Sequence, residues 1–194
     1  MDESILSYVD ASLPRFLQDL QRLIRQPSVT AQKEDVANCA QLLMDMMDEV
    51  GIETHLIPMK EGNPVLVGEA KGQISRTLLV YTHYDVQAPD PLEKWTNPPF
   101  AATIKDHKII GRGAADSKGN LLAFLKAIET YNKTMGSLPV TMRFLFEGEE
   151  EAGSPHLPVF IEANKAPLLA DAVVCFDGGT HPSGRPEIDL GLKG

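Results

Sequence analysis

Residues 77–85, Thr-Leu-Leu-Val-Tyr-Thr-His-Tyr-Asp, decide the fold. Thr77–Tyr81 is an apolar run of the length and composition of a buried strand. Thr82-His83-Tyr84-Asp85 follows it at once, with an imidazole and a carboxylate two residues apart. The same pattern recurs downstream. Val140–Phe146, read as a buried strand, runs into Glu147-Gly148-Glu149-Glu150-Glu151-Ala152-Gly153-Ser154, and Ala172–Phe176, also read as buried, runs into Asp177-Gly178-Gly179. Between them, Ala102–Lys105 and Lys108–Gly111 flank Asp106-His107 and predict a hairpin. The loop Gly111–Gly119 then carries Asp116 to a helix over Asn120–Tyr131, apolar over most of its circumference.

Upstream, Ile5, Leu6, Val9, Leu13, Phe16, Leu17, Leu20, Leu23 and Ile24 recur at helical spacing and predict an amphipathic helix over residues 4–25. Gln26-Pro27 ends it, because proline disfavours helix in the residue before it. A second helix is expected over Glu34–Val50, with Val36, Ala40, Leu43, Met44 and Met47 inward and Gly51 as its cap. Glu53–Pro58 and Val65–Ala70 read as strands, and Pro155–Asn164 as a helix. Strands interleaved with helices imply a layered α/β domain with a central, largely parallel mixed sheet flanked by helices. There is no repeat or low-complexity linker, so one domain is expected.

With 27 acidic and 18 basic side chains among 194 residues, the net charge of −9 argues against nucleic acid and anionic membranes, which reward clustered Lys and Arg. No apolar run approaches the roughly 20 residues that span a bilayer, and the N-terminus lacks a basic and an apolar leader segment. Cys39 and Cys175 have no zinc-knuckle spacing and make no disulfide scaffold. A reduced, cytoplasmic protein is the expectation.

Ligands in open α/β sheets collect beyond the carboxyl ends of the strands. There the sequence sends His83, Asp85, Asp116, the Glu149–Glu151 run and Asp177. Each has a plain alternative: His83 as a loop histidine, the acidic run as a solvated turn before a helix, Asp177-Gly178-Gly179 as an ordinary turn. The glycine-rich stretch matches neither phosphate-loop spacing. Taken together the carboxylates repel one another unless cations neutralise them. One imidazole with three or four carboxylates suits two divalent ions about 3.5–4 Å apart, and so metal-assisted hydrolysis.

These residues also carry a resemblance. THYDVQ from Thr82, then Trp95-Thr96-Asn97-Pro98-Pro99-Phe100, then GRGAADSKG from Gly111, then FEGEEEAGS from Phe146, then an Asp after a strand, resemble the M20 family of di-zinc metallopeptidases. That family spans carnosinase-like cytosolic dipeptidases, acetylornithine deacetylases and succinyl-diaminopimelate desuccinylases, and the cytosolic dipeptidase branch is the most similar. The resemblance implies a zinc-peptidase-like fold binding two Zn2+, with Mn2+ or Co2+ as substitutes. It implies His83, Asp116, Glu151 and Asp177 as metal ligands: His83 and Asp177 on one ion, Glu151 on the other, Asp116 bridging both. Asp85 would orient His83, Glu150 would be the general base, and a cis peptide would follow Asp116. Glu149 would be solvated, and His156 and His181 ordinary surface histidines.

The family's last metal ligand, a His near the end of the full chain, and its lid domain have no counterpart here. Residues 1–190 are therefore expected to be the N-terminal portion of a catalytic domain. Glu187–Gly194 reads as a strand just begun or just left, with 191–194 opening the connection to a lid and dimerisation domain, so that a homodimer is expected only of the full-length parent. The implied function is amide hydrolysis of dipeptides or small peptides by metal-activated water, with the fragment itself inactive. The alternatives are an N-acyl-amino-acid deacylase, and a non-catalytic binding protein on the same core.

Overall fold

The computed structural model describes residues 2–178 and 182–185. The expectations on His181 and on Glu187–Gly194 lie outside the described residues. Two helices open the chain, α1 (Glu3–Arg25) and α2 (Lys33–Glu49), followed by strands β1 (Glu53–Ile57), β2 (Val65–Ala70) and β3 (Gly72–His83). The hairpin β4 (Thr103–Lys105) and β5 (Lys108–Ile110) follows, then α3 (Lys118–Met135), β6 (Leu138–Glu147), α4 (Leu157–Ala163), α5 (Lys165–Leu168) and β7 (Ala172–Cys175).

The main sheet has the order β1-β2-β6-β3-β7. β3 pairs in parallel with both β6 and β7, while β2 is antiparallel to β6 and to β1. β1, β3, β6 and β7 therefore share one direction and β2 alone opposes them, which is the largely parallel mixed sheet expected. The parallel neighbours are joined through helices, as parallel pairing requires.

Side chains alternate across the sheet with the period of two. Val80, Phe144 and Phe146 face a core built with Val36, Leu43 and Met47 of α2 and Leu121 and Leu125 of α3. Leu79 and Leu145 face the other way, against Val65 and Phe160 of α4. α2 ends where expected, and Gly51 beyond it sits at φ +86°, a conformation glycine adopts without steric cost. The hairpin turn places Asp106 and His107 at φ 50° and 60°, as a tight two-residue connection demands. No helix among the described residues is long and apolar enough to cross a membrane.

α1 is pinned to α3 by an ion cluster. Glu129 accepts from Tyr8 Oη at 2.8 Å, from Arg15 through both terminal nitrogens and from Lys126 Nζ at 3.0 Å, while Lys126 also meets Asp19 at 2.6 Å. Burial opposes ionisation of Glu129, but these donors outweigh it and hold its carboxyl down at about 2. Lys118 is fully buried, and its ammonium donates to the carbonyls of Leu23 and Gln26 at 3.1 and 2.6 Å. A cation thus caps the carbonyl end of α1 and ties it to the loop that carries Asp116.

The boundaries differ from the sequence reading in three places. α3 begins at Lys118 and runs to Met135, because polar Asn132-Lys133-Thr134 ends the apolar stripe without ending the helix. β3 begins at Gly72, five residues before the apolar run, since residues 73–76 are exposed and only Ile74 among them is apolar. β7 is exposed, not buried: Val173 retains 64% of its accessible surface. Among the described residues it pairs with β3 on one side only, and an edge strand cannot be told from a central one by its own apolar residues.

Candidate metal centre

The strand register brings the polar residues to one rim. His83, the last residue of β3, is aligned with Glu147, the last of β6, and Tyr81 with Cys175 of β7. Asp177, two residues past Cys175, therefore arrives level with His83. Phe176, just before it, is fixed by its carbonyl, which accepts from Thr82 Oγ1 at 3.0 Å and Ser117 Oγ at 3.3 Å. The loop after the hairpin delivers Asp116, and the Asp116-Ser117 peptide is cis as the resemblance implied.

His83 is wholly buried and presents its two nitrogens to different neighbours. Nδ1 lies 3.1 Å from the Asp85 carbonyl and 3.3 Å from Asp85 Oδ1. Nε2 faces the rim, 3.1 Å from Asp116 Oδ1 and 3.6 Å from Asp177 Oδ2. Burial opposes the imidazolium, but the hydrogen bond and charge of Asp85, then the charges of Asp177 and Glu150, outweigh it and push its pKa up to about 9.

Asp85 is the hinge of the arrangement. It is fully buried, and besides His83 it accepts from Thr30 Oγ1 at 2.7 Å and from the main-chain N–H groups of Glu150 and Glu151, each at 3.2 Å. One carboxylate thus orients the imidazole and fixes the turn that carries both glutamates. The base of that turn is held by Asn63 Nδ2, which donates to the carbonyls of Gly148 and Thr30 at 2.7 and 3.1 Å. A Cβ at Gly148 would lie 2.7 Å from Tyr84 Oη, so only glycine lets the chain pass there.

Two overlapping sets of donors result. His83, Asp116 and Glu151 bring ligand atoms within 4.8 Å of one another, and so do His83, Glu150 and Asp177. Burial, together with the charges of Asp177, Glu151 and Asp85, pushes the Glu150 carboxyl up despite the opposing effect of His83. Among the described residues no Lys or Arg forms an ion pair with Asp116, Glu150, Glu151 or Asp177; the ion pairs of Asp116 and Asp177 are with His83 alone. An imidazole and uncompensated carboxylates at this spacing are a donor set that fits divalent cations.

Two expectations are corrected here. Glu149 is not solvated: its side chain is 14% exposed and meets His156 Nδ1 at 2.8 Å. His156 is in turn half-buried against that carboxylate, because the turn folds back over the start of α4. Glu147 is a further carboxylate of the site that the motifs do not single out. It is buried, accepts from Tyr81 Oη and from Ser154 Oγ at 2.7 Å, and its carboxyl is pushed up chiefly by burial. A carboxylate as the last residue of a buried strand was the signal that could have found it.

The sequence model of Peptidase family M20/M25/M40 matches residues 79–191, more than half of the chain. The chain belongs to that family. It is similar to the human Beta-Ala-His dipeptidase, 28% identical over 99% of this chain and 41% of that protein. It is also similar to the Cys-Gly metallodipeptidase DUG1 of Candida albicans, 30% identical over 99% of this chain and 44% of that protein. Among solved structures, the M20 family metallo-carboxypeptidase Sso-CP2 of Sulfolobus solfataricus superposes with a TM-score of 0.82 at 37% identity, over 96% of this chain and 40% of that one. Human carnosine dipeptidase 1 gives 0.83 at 27% identity, over 91% and 41%. The chain spans about two fifths of the length of these relatives. Named relatives being dipeptidases and metallopeptidases, the fold is that of an M20 catalytic domain, a family of divalent-metal hydrolases.

Proposed function

We propose that a protein carrying this chain hydrolyses the amide bond of dipeptides or small peptides at a pair of divalent metal ions, zinc by the character of the donors. Residues 1–190 are then the N-terminal portion of its catalytic domain, with 191–194 leading out of it. The observation that carries the reading is the convergence of His83, Asp116, Glu150, Glu151 and Asp177 on one rim, where among the described residues no Lys or Arg forms an ion pair with the four carboxylates.

His83 through Nε2, with Asp177, would hold one ion, Glu151 the other, and Asp116 would reach both. When bound, the metals supply Lewis-acid polarisation of the scissile carbonyl and acidify a water. The remaining work belongs to the chain. Asp85 keeps Nδ1 engaged, so that Nε2 is the free nitrogen at the rim. Glu150 takes the proton from the attacking water and hands it to the leaving amine.

A second reading has one observation in its favour. The N-formyl-4-amino-5-aminomethyl-2-methylpyrimidine deformylase of Halalkalibacterium halodurans is 32% identical over 78% of this chain, which supports deacylation of an N-acyl compound on the same core. The test is Glu150→Gln in a protein that joins this chain to the rest of its relatives' length, assayed on dipeptides and N-acyl amino acids. A fall in kcat of about 10²–10⁴-fold with metal content unchanged is the expected result. Unchanged kcat would remove Glu150 from the reaction, and preference for N-acyl amino acids would favour the second reading. The 194-residue chain alone is expected to turn over neither.

A further inference from the structure

Gln87 stands two residues beyond Asp85, the end of the segment that carries His83, and it is exposed. Among the described residues it makes three hydrogen bonds, all to Glu151. Its main-chain N–H donates to Glu151 Oε1 at 3.2 Å, its side-chain Nε2 to Glu151 Oε2 at 2.9 Å, and the same Nε2 to the Glu151 carbonyl at 3.1 Å. The first two bonds fix the plane of the carboxylate, and the third fixes the amide that makes the second. We propose that Gln87 is a positioning residue for Glu151, presetting that carboxylate toward His83 and Asp116; this rests on reading Glu151 as a metal ligand.

The chemistry of the pair suits the task. A carboxylate that is to meet a cation needs donors that hold its geometry and carry no charge, because a Lys or Arg in the same place would compete with the metal. A glutamine amide supplies such a donor. The segment that bears Gln87 is itself braced. The Ala88 carbonyl accepts from Arg112 Nη2 at 3.3 Å, the Arg112 guanidinium lies 5.5 Å over the Trp95 ring, and Trp95 Nε1 donates to the Pro89 carbonyl at 2.7 Å. Arg112 belongs to the loop that delivers Asp116. Residues 87–95 therefore form a strut between the Asp116 loop and the glutamate turn, joining two members of one donor set, His83–Asp116–Glu151. No corresponding contact runs from Gln87 to Glu150 or Asp177 among the described residues, so the effect is confined to that set.

The experiment is a titration of Co2+ into the 194-residue chain, read by calorimetry and by the visible absorption of the ion. It compares wild type, Gln87→Met, Glu151→Gln and Asp177→Asn, with the unfolding midpoint of each metal-free protein measured alongside. Gln87→Met keeps the side-chain length and the main-chain donor and removes Nε2. The expected result is a loss of about 10–100-fold in the binding event that Glu151→Gln abolishes. The event that Asp177→Asn abolishes keeps its affinity, and the metal-free midpoint does not move. Wild-type affinity in Gln87→Met, with an event still lost in Glu151→Gln, overturns the role of Gln87 and leaves the metal reading standing. Equal losses at both events overturn it too, as general loosening. Absence of binding by wild type, or indifference to Glu151→Gln, overturns the ligand reading of Glu151 and this proposal with it.

Discussion

Two clusters of carboxylates lie in this molecule, and their surroundings are opposite. Between α1 and α3, Glu129 and Asp19 are answered by Arg15, Lys126 and the Tyr8 hydroxyl, and Glu129 is driven down to about 2. At the ends of β3, β6 and β7, Asp116, Glu150, Glu151 and Asp177 share one histidine, and Glu150 is driven up by burial and by its neighbours. The first cluster is complete in itself and holds two helices together. The second lacks such partners and gains from any cation that joins it. Charge compensation separates the structural acidic cluster from the functional one more sharply than the number of acids does.

The contrast is broken most severely by removing the satisfied carboxylate. Glu129→Ala leaves the Lys126 ammonium and Tyr8 hydroxyl short of a partner, and is expected to cost about 2–4 kcal/mol in urea unfolding. A loss under about 0.5 kcal/mol would show that the cluster is ornamental. Adding metal should act in the other direction and only through the rim. At a free Zn2+ concentration 100 times the Kd, the chain should gain about 2.7 kcal/mol, and Glu129→Ala should gain as much.

The acid limb sharpens the comparison, because the two clusters respond with opposite sign. Glu129 has a folded pKa near 2, below its unfolded value of 4.5, so its stabilisation is present above 4.5 and is lost as pH falls toward 2. Discounted for solvent screening this amounts to about 1–2 kcal/mol. Glu150 is raised, so protonating it on the way down favours the folded state. Metal-free Glu129→Gln should therefore lose its steep acid transition below pH 4.5, and Glu150→Gln should keep it. His83 adds a further sign. It is held protonated up to about 9 in the metal-free chain, so the stability it brings is present below 6.5 and is lost as pH rises through 9. Zn2+ binding at pH 7 should accordingly release about one proton, read by calorimetry in buffers of different ionisation enthalpy. The smallest effect is on the rim alone: Glu150→Gln should leave metal-free stability unchanged or raise it by up to about 0.5 kcal/mol.

Much of the rim was legible in the sequence because its grammar is local. A buried strand followed at once by His83 and Asp85, or by Glu150 and Glu151, announces both the strand and the edge at which it ends. The parallel order of β3, β6 and β7 then brings the ends together. What was not legible depends on partners distant in the chain. Val173 and Val174 are as apolar as any core strand, yet among the described residues β7 pairs on one side alone and both stay exposed. Glu149 looks like its neighbours in sequence, yet the turn sends it to His156. Gln87 and Glu151 are 64 residues apart, and nothing in either stretch announces their pairing.

The central claim is that the strand-end carboxylates form a cradle for metal, and zinc stoichiometry of the purified chain, with and without Asp116→Ala, tests it most directly. The wild type is expected to bind at least one ion and Asp116→Ala to lose it, with the metal-free fold intact in both. Binding indifferent to Asp116, or a folded chain that takes up no zinc, would contradict it.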